Sequence, residues 1–163
     1  QDNRILWGGY DVIYYWGGKM STEFESRPET WAKLSKHFFD TFPQLEGVKF
    51  THTWGGVIDT CSRSCVFWGR GMQGRVAYSV GYTGLGVAST RFGAEVMLDI
   101  LDGKRSKATE TEFVKTKPLP FPPEPFRFIG IQATRYSLDR EDKTGKRNLW
   151  LRGLDRFGLG FDS

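Results

Sequence analysis

The stretch GYTGLGVASTRFGAEVMLDIL, residues 81–101, constrains the fold more than any other part of the chain. Three glycines lie within its first six residues, and a long run with helical periodicity follows them. Glycine adopts positive φ angles without a steric penalty, so this pattern predicts a tight turn from a strand into a helix. The helix would carry two apolar stripes, Val87/Ala94/Met97/Leu98/Leu101 and Phe92/Val96/Ile100. Apolar residues around so much of its circumference predict a buried helix that Gly103 terminates.

Two familiar phosphate-binding motifs fit this stretch poorly. Residues 84–89 approach the dinucleotide fingerprint G-x-G-x-x-G, but that motif needs a second strand ending in an acidic residue about 20 positions later. Lys104 and Arg105 stand near that place instead, and no strand is predicted there. A P-loop ends in Gly-Lys-Ser/Thr, and the sequence has no such ending.

Two interpretations of the glycines remain open. They could form only a structural turn, with Gly86 letting the helix start close to a sheet. Alternatively, the N–H groups at the helix N-terminus could bind an anion or an electron-rich oxygen, because they carry partial positive charge and have no partner within the helix. Reduced flavin presents such a locus at N1 and the C2 oxygen.

The rest of the chain is predicted to contain strands at both sides of one helix, then a hairpin. Residues 4–16 and 48–59 have the composition of strands, and residues 26–43 that of a helix with Ser26 as N-cap and Pro28 in the first turn. Residues 64–82 predict two strands joined by a turn between Gly69 and Gly74. Because strand-like sequence begins almost at Gln1 with no initiating Met, we expect the chain to be part of a longer protein.

The C-terminal third differs from the rest in charge and composition. Residues 104–163 hold 13 Lys and Arg against 8 Asp and Glu, whereas residues 1–103 hold 10 against 11. Five of the seven prolines fall in residues 115–125, which predicts an extended connector. Helices are predicted over 126–136 and 148–157, and we expect Leu149, Trp150, Leu154 and Phe157 to pack on the body or on a partner subunit. A basic segment with aromatic residues could also suit nucleic acid or an anionic membrane. Interspersed acids favour a solvated helix face over both.

The sequence VAYSVGYTGLGVASTRFGAEVMLDIL resembles the C-terminal motif of the FAD-dependent amine and amino-acid oxidoreductases, the family of D-amino-acid, glycine, sarcosine and gamma-glutamylputrescine oxidases. In that family a strand leads through Gly-aromatic-x-Gly-x-Gly-hydrophobic into a helix. The residues that match in order are Gly81, Tyr82, Gly84, Gly86, Val87 and Gly93. HTWGGVID and RILWGGYDVIYYW resemble two upstream strands of the same family, so the resemblance covers about residues 4–103.

The resemblance implies an α+β fold, with an antiparallel substrate-domain sheet, flanking helices, and the last strand and helix of a Rossmann-like FAD domain. It places the second half of the substrate domain at 1–75 and the last FAD-domain elements at 76–103. A proline-rich connector and basic helical tail follow at 104–163. The pyrophosphate-binding motif of the family is absent from this chain. We therefore expect the partner of these residues to be an N-terminal FAD lobe, and the chain alone to retain FAD poorly, lack activity and form homo-oligomers.

The resemblance also implies the site residues. Flavin would contact the turn formed by Gly81, Tyr82, Thr83, Gly84, Leu85, Gly86 and Val87, with the N–H groups around Leu85, Gly86 and Val87 facing N1 and the C2 oxygen. Tyr14, Tyr15 and Trp54 could line a pocket for an amine or amino-acid substrate, since ring faces attract ammonium groups. Asp59 could orient that ammonium. Core packing for the three rings and a solvated loop position for Asp59 are the alternatives.

One segment departs from the family pattern. Relatives often carry Thr-Pro-Asp after the Trp-containing strand, where this chain has Cys61-Ser62-Arg63. Cys61 could tether flavin covalently or be a partly buried thiol. With only two cysteines and two histidines, a zinc site of four ligands is a poor match, and reduced thiols indicate a cytoplasmic protein.

The predicted function is therefore oxidation of the C–N bond of an amine or amino acid by a flavoenzyme to which this chain contributes the C-terminal part. The alternative is a non-catalytic α+β interaction module whose basic tail contacts nucleic acid, a membrane surface or a partner protein. Contacts with nucleic acid and membrane are not expected under the first hypothesis. No catalytic residue and no metal ligand can be assigned from the sequence.

Overall fold

A computed structural model describes residues 4–9 and 12–159 of the chain. The chain divides into two compact units, Gln1–Val57 and Ile58–Ser163. Within the described residues there are five α-helices and one antiparallel two-stranded sheet, so the predicted α+β class is confirmed. The boundaries at residues 75 and 103 stay a prediction.

The first unit is built around helix α1, Pro28–Thr41. Single-turn 3-10 helices lie at Trp16–Gly18, Thr22–Glu25 and Pro43–Leu45. Pro28 occupies the first turn as predicted, but the N-cap is Arg27 and no side chain caps the helix, so the prediction that Ser26 caps it was wrong. A residue that precedes proline is driven out of the helical region, and this makes the residue before Pro28 the cap.

An aromatic cluster forms the core of the first unit. Phe38 of α1 is 3% exposed, and the rings of Trp7, Phe42 and Phe50 contact it at centroid distances of 5.6, 5.4 and 5.3 Å. The indole Nε1 of Trp7 donates a hydrogen bond to the Leu34 carbonyl at 3.1 Å, which satisfies the polar end of that ring. The apolar face predicted for this helix is therefore its core face.

The two strands predicted before the hairpin are not present. Residues 4–9, 12–15 and 48–59 have no regular secondary structure, and residues 10 and 11 of the first predicted strand lie outside the described residues. Trp54 and Val57 are 66% and 65% exposed. Strand propensity measures how well a side chain fits a pleated, half-buried surface, and among the described residues no neighbouring strand pairs with either segment.

The hairpin predicted for residues 64–82 is confirmed in the second unit. Strand β1, Phe67–Gly71, pairs antiparallel with β2, Val76–Val80, in a register that sets Trp68 opposite Ser79. A 3-10 turn at Met72–Gly74 joins the strands. Because side chains alternate along a strand, Trp68 and Ser79 share one face, and Phe67, Tyr78 and Val80 share the other.

Helix α2, Gly86–Leu101, packs on the Trp68 face of the hairpin. Trp68 is fully buried, its Nε1 donates to the Gly93 carbonyl at 3.2 Å, and Val66, Val96 and Val114 complete the buried cluster. The helix itself is confirmed, but the prediction that it is buried all round was wrong. Only Gly93 and Val96 are buried, whereas the first stripe is largely open, with Val87 100% and Leu98 62% exposed.

A proline-rich connector, residues 116–125, follows the short helix α3, Glu112–Lys115, and runs without regular structure to its final turn. Side chains of the loop after Asp59 donate hydrogen bonds to the first residues of this connector. Arg63 Nη1 donates to the Thr116 carbonyl at 2.6 Å, and Ser62 Oγ donates to the Leu119 carbonyl at 2.6 Å. Lys117 Nζ also donates to the Trp68 carbonyl. The extended connector predicted from its prolines is therefore fastened to the hairpin.

Helices α4, Phe126–Thr144, and α5, Leu149–Arg156, lie in the tail where two helices were predicted, but α4 continues beyond its predicted end at residue 136. Asn148 caps α5 by accepting from Leu151 N at 3.0 Å. Arg147 bonds Asp155 through Nε and Nη2 at 2.7 and 2.5 Å and Glu141 through Nη1 at 2.8 Å. The hydrogen bonds from Arg147 hold the pKa of Asp155 below its ordinary value. Leu149 and Phe157 are 84% and 71% exposed, so these two residues do not pack on the described body, and packing on a partner subunit stays a prediction.

Candidate functional site

The glycine turn, residues 81–85, leads from β2 into α2 through left-handed backbone. Gly81, Thr83 and Gly84 have φ angles of +80°, +52° and +83°. Glycine takes such angles without strain, whereas a β-branched residue such as Thr83 rarely does. The turn that the glycines predicted is present, and it also contains one position where the surroundings must stabilise an unfavourable backbone angle.

Residues 59 and 60 supply the hydrogen bonds that hold this turn. The Gly81 N–H donates to Asp59 Oδ2 at 2.5 Å, and the Thr83 N–H donates to the Asp59 carbonyl at 2.8 Å. The hydroxyls of Thr60 and Thr83 are hydrogen-bonded at 3.0 Å, and Thr83 Oγ1 donates to the Gly81 carbonyl at 3.1 Å. Thr83 is therefore held by several bonds at once.

Tyr82 points back toward the hairpin and the helix. Its hydroxyl lies 2.8 Å from Ser79 Oγ, and the side chain packs against the buried cluster around Trp68. A Cβ atom added at Gly93 would overlap the Tyr82 hydroxyl. The Tyr82 ring therefore fixes the turn to both neighbouring elements, and it fits only because residue 93 is glycine.

The N-terminus of α2 opens beside this turn with its backbone donors uncapped by any side chain. The Leu85 N–H donates to the Tyr82 carbonyl at 2.9 Å, so it is engaged within the turn. Gly86 and Val87 then begin the helix, whose first turn has no acidic residue. Leu85 and Val87 are 68% and 100% exposed, and a Cβ added at Gly84 would meet nothing within 4 Å. The arrangement can present Gly86 and Val87 N–H groups to a flat, electron-rich ligand.

The structure brings Asp59, one of the four substrate-pocket candidates, to the glycine turn. Tyr14, Tyr15 and Trp54 belong to the first unit, in which Tyr15 stacks on Phe24 at a centroid distance of 3.7 Å. Trp54 is 66% exposed. A substrate pocket formed by these rings stays a prediction.

Two residues of this site, Thr60 and Ser79, were not found from the sequence: Thr60 bonds Thr83 and Ser79 bonds Tyr82. Cys61, considered above as a flavin tether or a partly buried thiol, packs against Gly81, where an added Cβ would come within 3.2 Å of Cys61 Sγ. Cys61 is 8% exposed and its thiol donates to the Cys65 carbonyl at 3.1 Å. Spacing along the chain gives no signal for these contacts, because they join segments about 20 residues apart in sequence, apart from Ser79–Tyr82.

The part of the chain that the structure describes contains neither a cluster of metal-ligating side chains nor a helix suited to span a membrane. No three or more His, Cys, Asp or Glu side chains there gather as they would around a metal ion. None of the described helices combines the length and apolar character needed to cross a membrane.

Comparison with known proteins links the chain to oxidoreductases. It is 34% identical over 143 residues to the gamma-glutamylputrescine oxidoreductase of Escherichia coli, covering 84% of this chain and 30% of that protein. It is 28% identical over 114 residues to the probable oxidoreductase OrdL of Haemophilus influenzae, covering 70% of this chain and 23% of that protein. The chain thus spans about a quarter to a third of the length of the curated relatives it matches. No protein-family model and no solved structure matches it.

The similarity extends further along the chain than the motifs alone indicated. A match to 84% of 163 residues involves about 137 of them, so wherever it begins it must run well beyond Gly103. The basic tail, which lay outside the expected resemblance, is therefore at least partly shared with the Escherichia coli protein. The match therefore includes at least the connector, residues 116–125.

Proposed function

We propose that this chain is the C-terminal part of an FAD-dependent oxidoreductase that oxidises the C–N bond of an amine or amino acid. The observation that carries the proposal is the glycine turn. It ends at an uncapped helix N-terminus with exposed backbone, in a chain similar to a gamma-glutamylputrescine oxidoreductase. Two free cysteines are in keeping with a cytoplasmic protein.

The residues at the turn fit the isoalloxazine end of a flavin. Open space at Gly84 and full exposure of Val87 leave room for a flat ring to approach the backbone. The N–H groups of Gly86 and Val87 would lie toward N1 and the C2 oxygen, where reduction places negative charge. The Leu85 N–H has a smaller role than expected, because Tyr82 already accepts its hydrogen bond.

Bound flavin would supply the redox chemistry, by accepting a hydride from the carbon beside the substrate nitrogen. The chain's own residues would orient that ring and stabilise its reduced form. Tyr82 and the buried Trp68 support the turn from below. Tyr14, Tyr15 and Trp54 remain the proposed ring faces for the substrate ammonium.

The test is to express the protein from its complete reading frame and measure bound flavin and amine oxidation together. We expect a G-x-G-x-x-G motif after a strand upstream of Gln1, one FAD per chain, and flavin reduction by amines under anaerobic conditions. The 163-residue chain alone should elute from gel filtration colourless and as oligomers. A complete protein without flavin, or without the upstream motif, would refute the proposal.

A second candidate, a binding module without catalysis, rests on the tail. Arg140 of α4 and Arg152 and Arg156 of α5 make no ion pair with the described residues, and α5 also exposes Leu149. A basic surface that binds phosphates loses affinity steeply with salt. Retention on heparin that falls with salt would favour this candidate, whereas failure to bind heparin at low salt would exclude it.

A further inference from the structure

Asp59 is engaged with the glycine turn through both its side chain and its backbone. Its Oδ2 atom accepts from the Gly81 N–H at 2.5 Å, and its carbonyl accepts from the Thr83 N–H at 2.8 Å. The two donors flank Tyr82. Asp59 therefore accepts hydrogen bonds from two residues of the turn, which lie 22 and 24 positions later in the chain.

The turn needs these hydrogen bonds because Thr83 has an unfavourable backbone angle. A non-glycine residue held at positive φ is strained and persists only where its surroundings determine it. Thr83 has a φ of +52° and is also bonded to Thr60 at 3.0 Å. Residues 59 and 60 thus act as a clamp on residues 81–83, which we call the Asp59 clamp.

We propose that Asp59 is a positioning residue that orients the turn for the flavin, rather than a carboxylate that binds the substrate ammonium. The inference rests on the proposed function for the identity of the ligand. The bond to Gly81 aims the carboxylate at the backbone of the turn. Residues 81–83 lead directly into Gly84–Val87, where the ring would lie. Weakening the Asp59 clamp should therefore lower the affinity for FAD before it affects substrate binding.

The first experiment measures the clamp without any cofactor. Amide hydrogen exchange of the 163-residue chain is compared among wild type, Asp59→Asn and Asp59→Ala, with Asp142→Asn as a matched change at an exposed carboxylate. Loss of a hydrogen bond to a charged acceptor should speed exchange of the Gly81 amide about ten- to a hundredfold in Asp59→Ala. Asp59→Asn keeps an oxygen acceptor and should give a smaller change. Exchange at Gly81 as slow in Asp59→Ala as in the control would overturn the proposal.

The second experiment separates the cofactor from the substrate. In the protein expressed from its complete reading frame, Asp59→Ala should raise the Kd for FAD about tenfold or more, with partial rescue in Asp59→Asn. The KM for the amine, measured on the flavin-loaded fraction, should stay within about twofold of wild type. A KM raised tenfold with normal FAD affinity would make Asp59 a substrate-binding group and refute the proposal. If the wild-type protein holds no flavin, the proposed function fails instead, while the exchange measurement still decides whether Asp59 clamps the turn.

Discussion

Gly86→Ala is the substitution that best separates a flavin-contacting turn from a purely structural one. Gly86 is the first residue of α2 and, unlike Gly81 and Gly84, it does not have a positive φ. An added Cβ would lie 3.6 Å from Thr90 Cγ2 and 3.8 Å from Tyr82 Cβ, which are ordinary van der Waals distances. The protein alone can therefore accept a methyl group here. Gly84→Ala would be strained at its φ of +83° whatever surrounds it, so its effects would be ambiguous.

Gly86→Ala should raise the free energy of unfolding of the protein and lower the reduction potential of the bound flavin. Replacing glycine by alanine at an unstrained position raises the free energy of unfolding by about 0.4–1 kcal/mol, chiefly by restricting the unfolded chain. A helix N-terminus stabilises a nearby negative charge by about 0.3–2 kcal/mol. For a two-electron couple about 30 mV corresponds to about 1.4 kcal/mol, so moving the ring off the helix should lower the flavin potential by about 6–40 mV.

The assay is a redox titration of flavin bound to the complete protein, with denaturant unfolding of the cofactor-free form beside it. Gly153→Ala is the matched control, because Gly153 lies within α5 and an added Cβ there would meet nothing within 4 Å. The control should leave the potential unchanged. A Gly86→Ala protein with an unchanged potential and undiminished FAD affinity would refute the role assigned to the helix N-terminus.

Three further predictions concern the stability of the second unit. Gly93→Ala should lower the free energy of unfolding by about 1–3 kcal/mol in denaturant titrations, because its Cβ would overlap Tyr82; stability equal to wild type would contradict this packing. The lowered pKa of Asp155 means that its pairing with Arg147 stabilises the fold above the ordinary carboxyl pKa of about 3.9 and is lost as pH falls through the lower, folded pKa. Arg147→Met should therefore reduce the loss of stability between about pH 5 and pH 2, and a wild-type-like pH profile would count against the pairing. Arg63→Ala should speed limited proteolysis of the proline-rich connector, and an unchanged cleavage rate would show that other contacts suffice to hold it.

The elements that sequence patterns predicted well are those whose signals are local. Glycines between two strand-like runs predicted the hairpin, and helical periodicity predicted α1, α2 and α5 close to their observed bounds and the start of α4, which runs beyond its predicted end at residue 136. Pro28 marks a helix start through its fixed φ angle, and Asn148 through a side-chain oxygen that accepts from a backbone N–H three residues later. Such features need no knowledge of distant residues.

The elements that failed depend on partners elsewhere. Residues 4–16 and 48–59 have strand composition, yet a strand exists only where a second segment completes its hydrogen bonds. The apolar circumference of α2 likewise did not determine which side would be covered. The hairpin takes the side with Gly93 and Val96, because only a residue without a side chain lets Tyr82 and Trp68 come so close.

The glycine turn shows why the sequence predicted a turn at residues 81–85 but not the hydrogen bonds that hold it. A site made of backbone donors requires residues that leave the backbone accessible. Glycine has no side chain, so its positions in the sequence indicate where the backbone is accessible. The residues that fix the geometry of such a site are those that lie near it in space. Nothing in the sequence around Asp59 indicates that it accepts hydrogen bonds from the Gly81 and Thr83 amides, 22 and 24 positions away. Asp59 was predicted to orient the substrate ammonium because its charge was the only property that the sequence made known. Its hydrogen bonds favour a role in positioning the turn, and Thr83, held at +52° by the same segment, is the reason that such a role is needed.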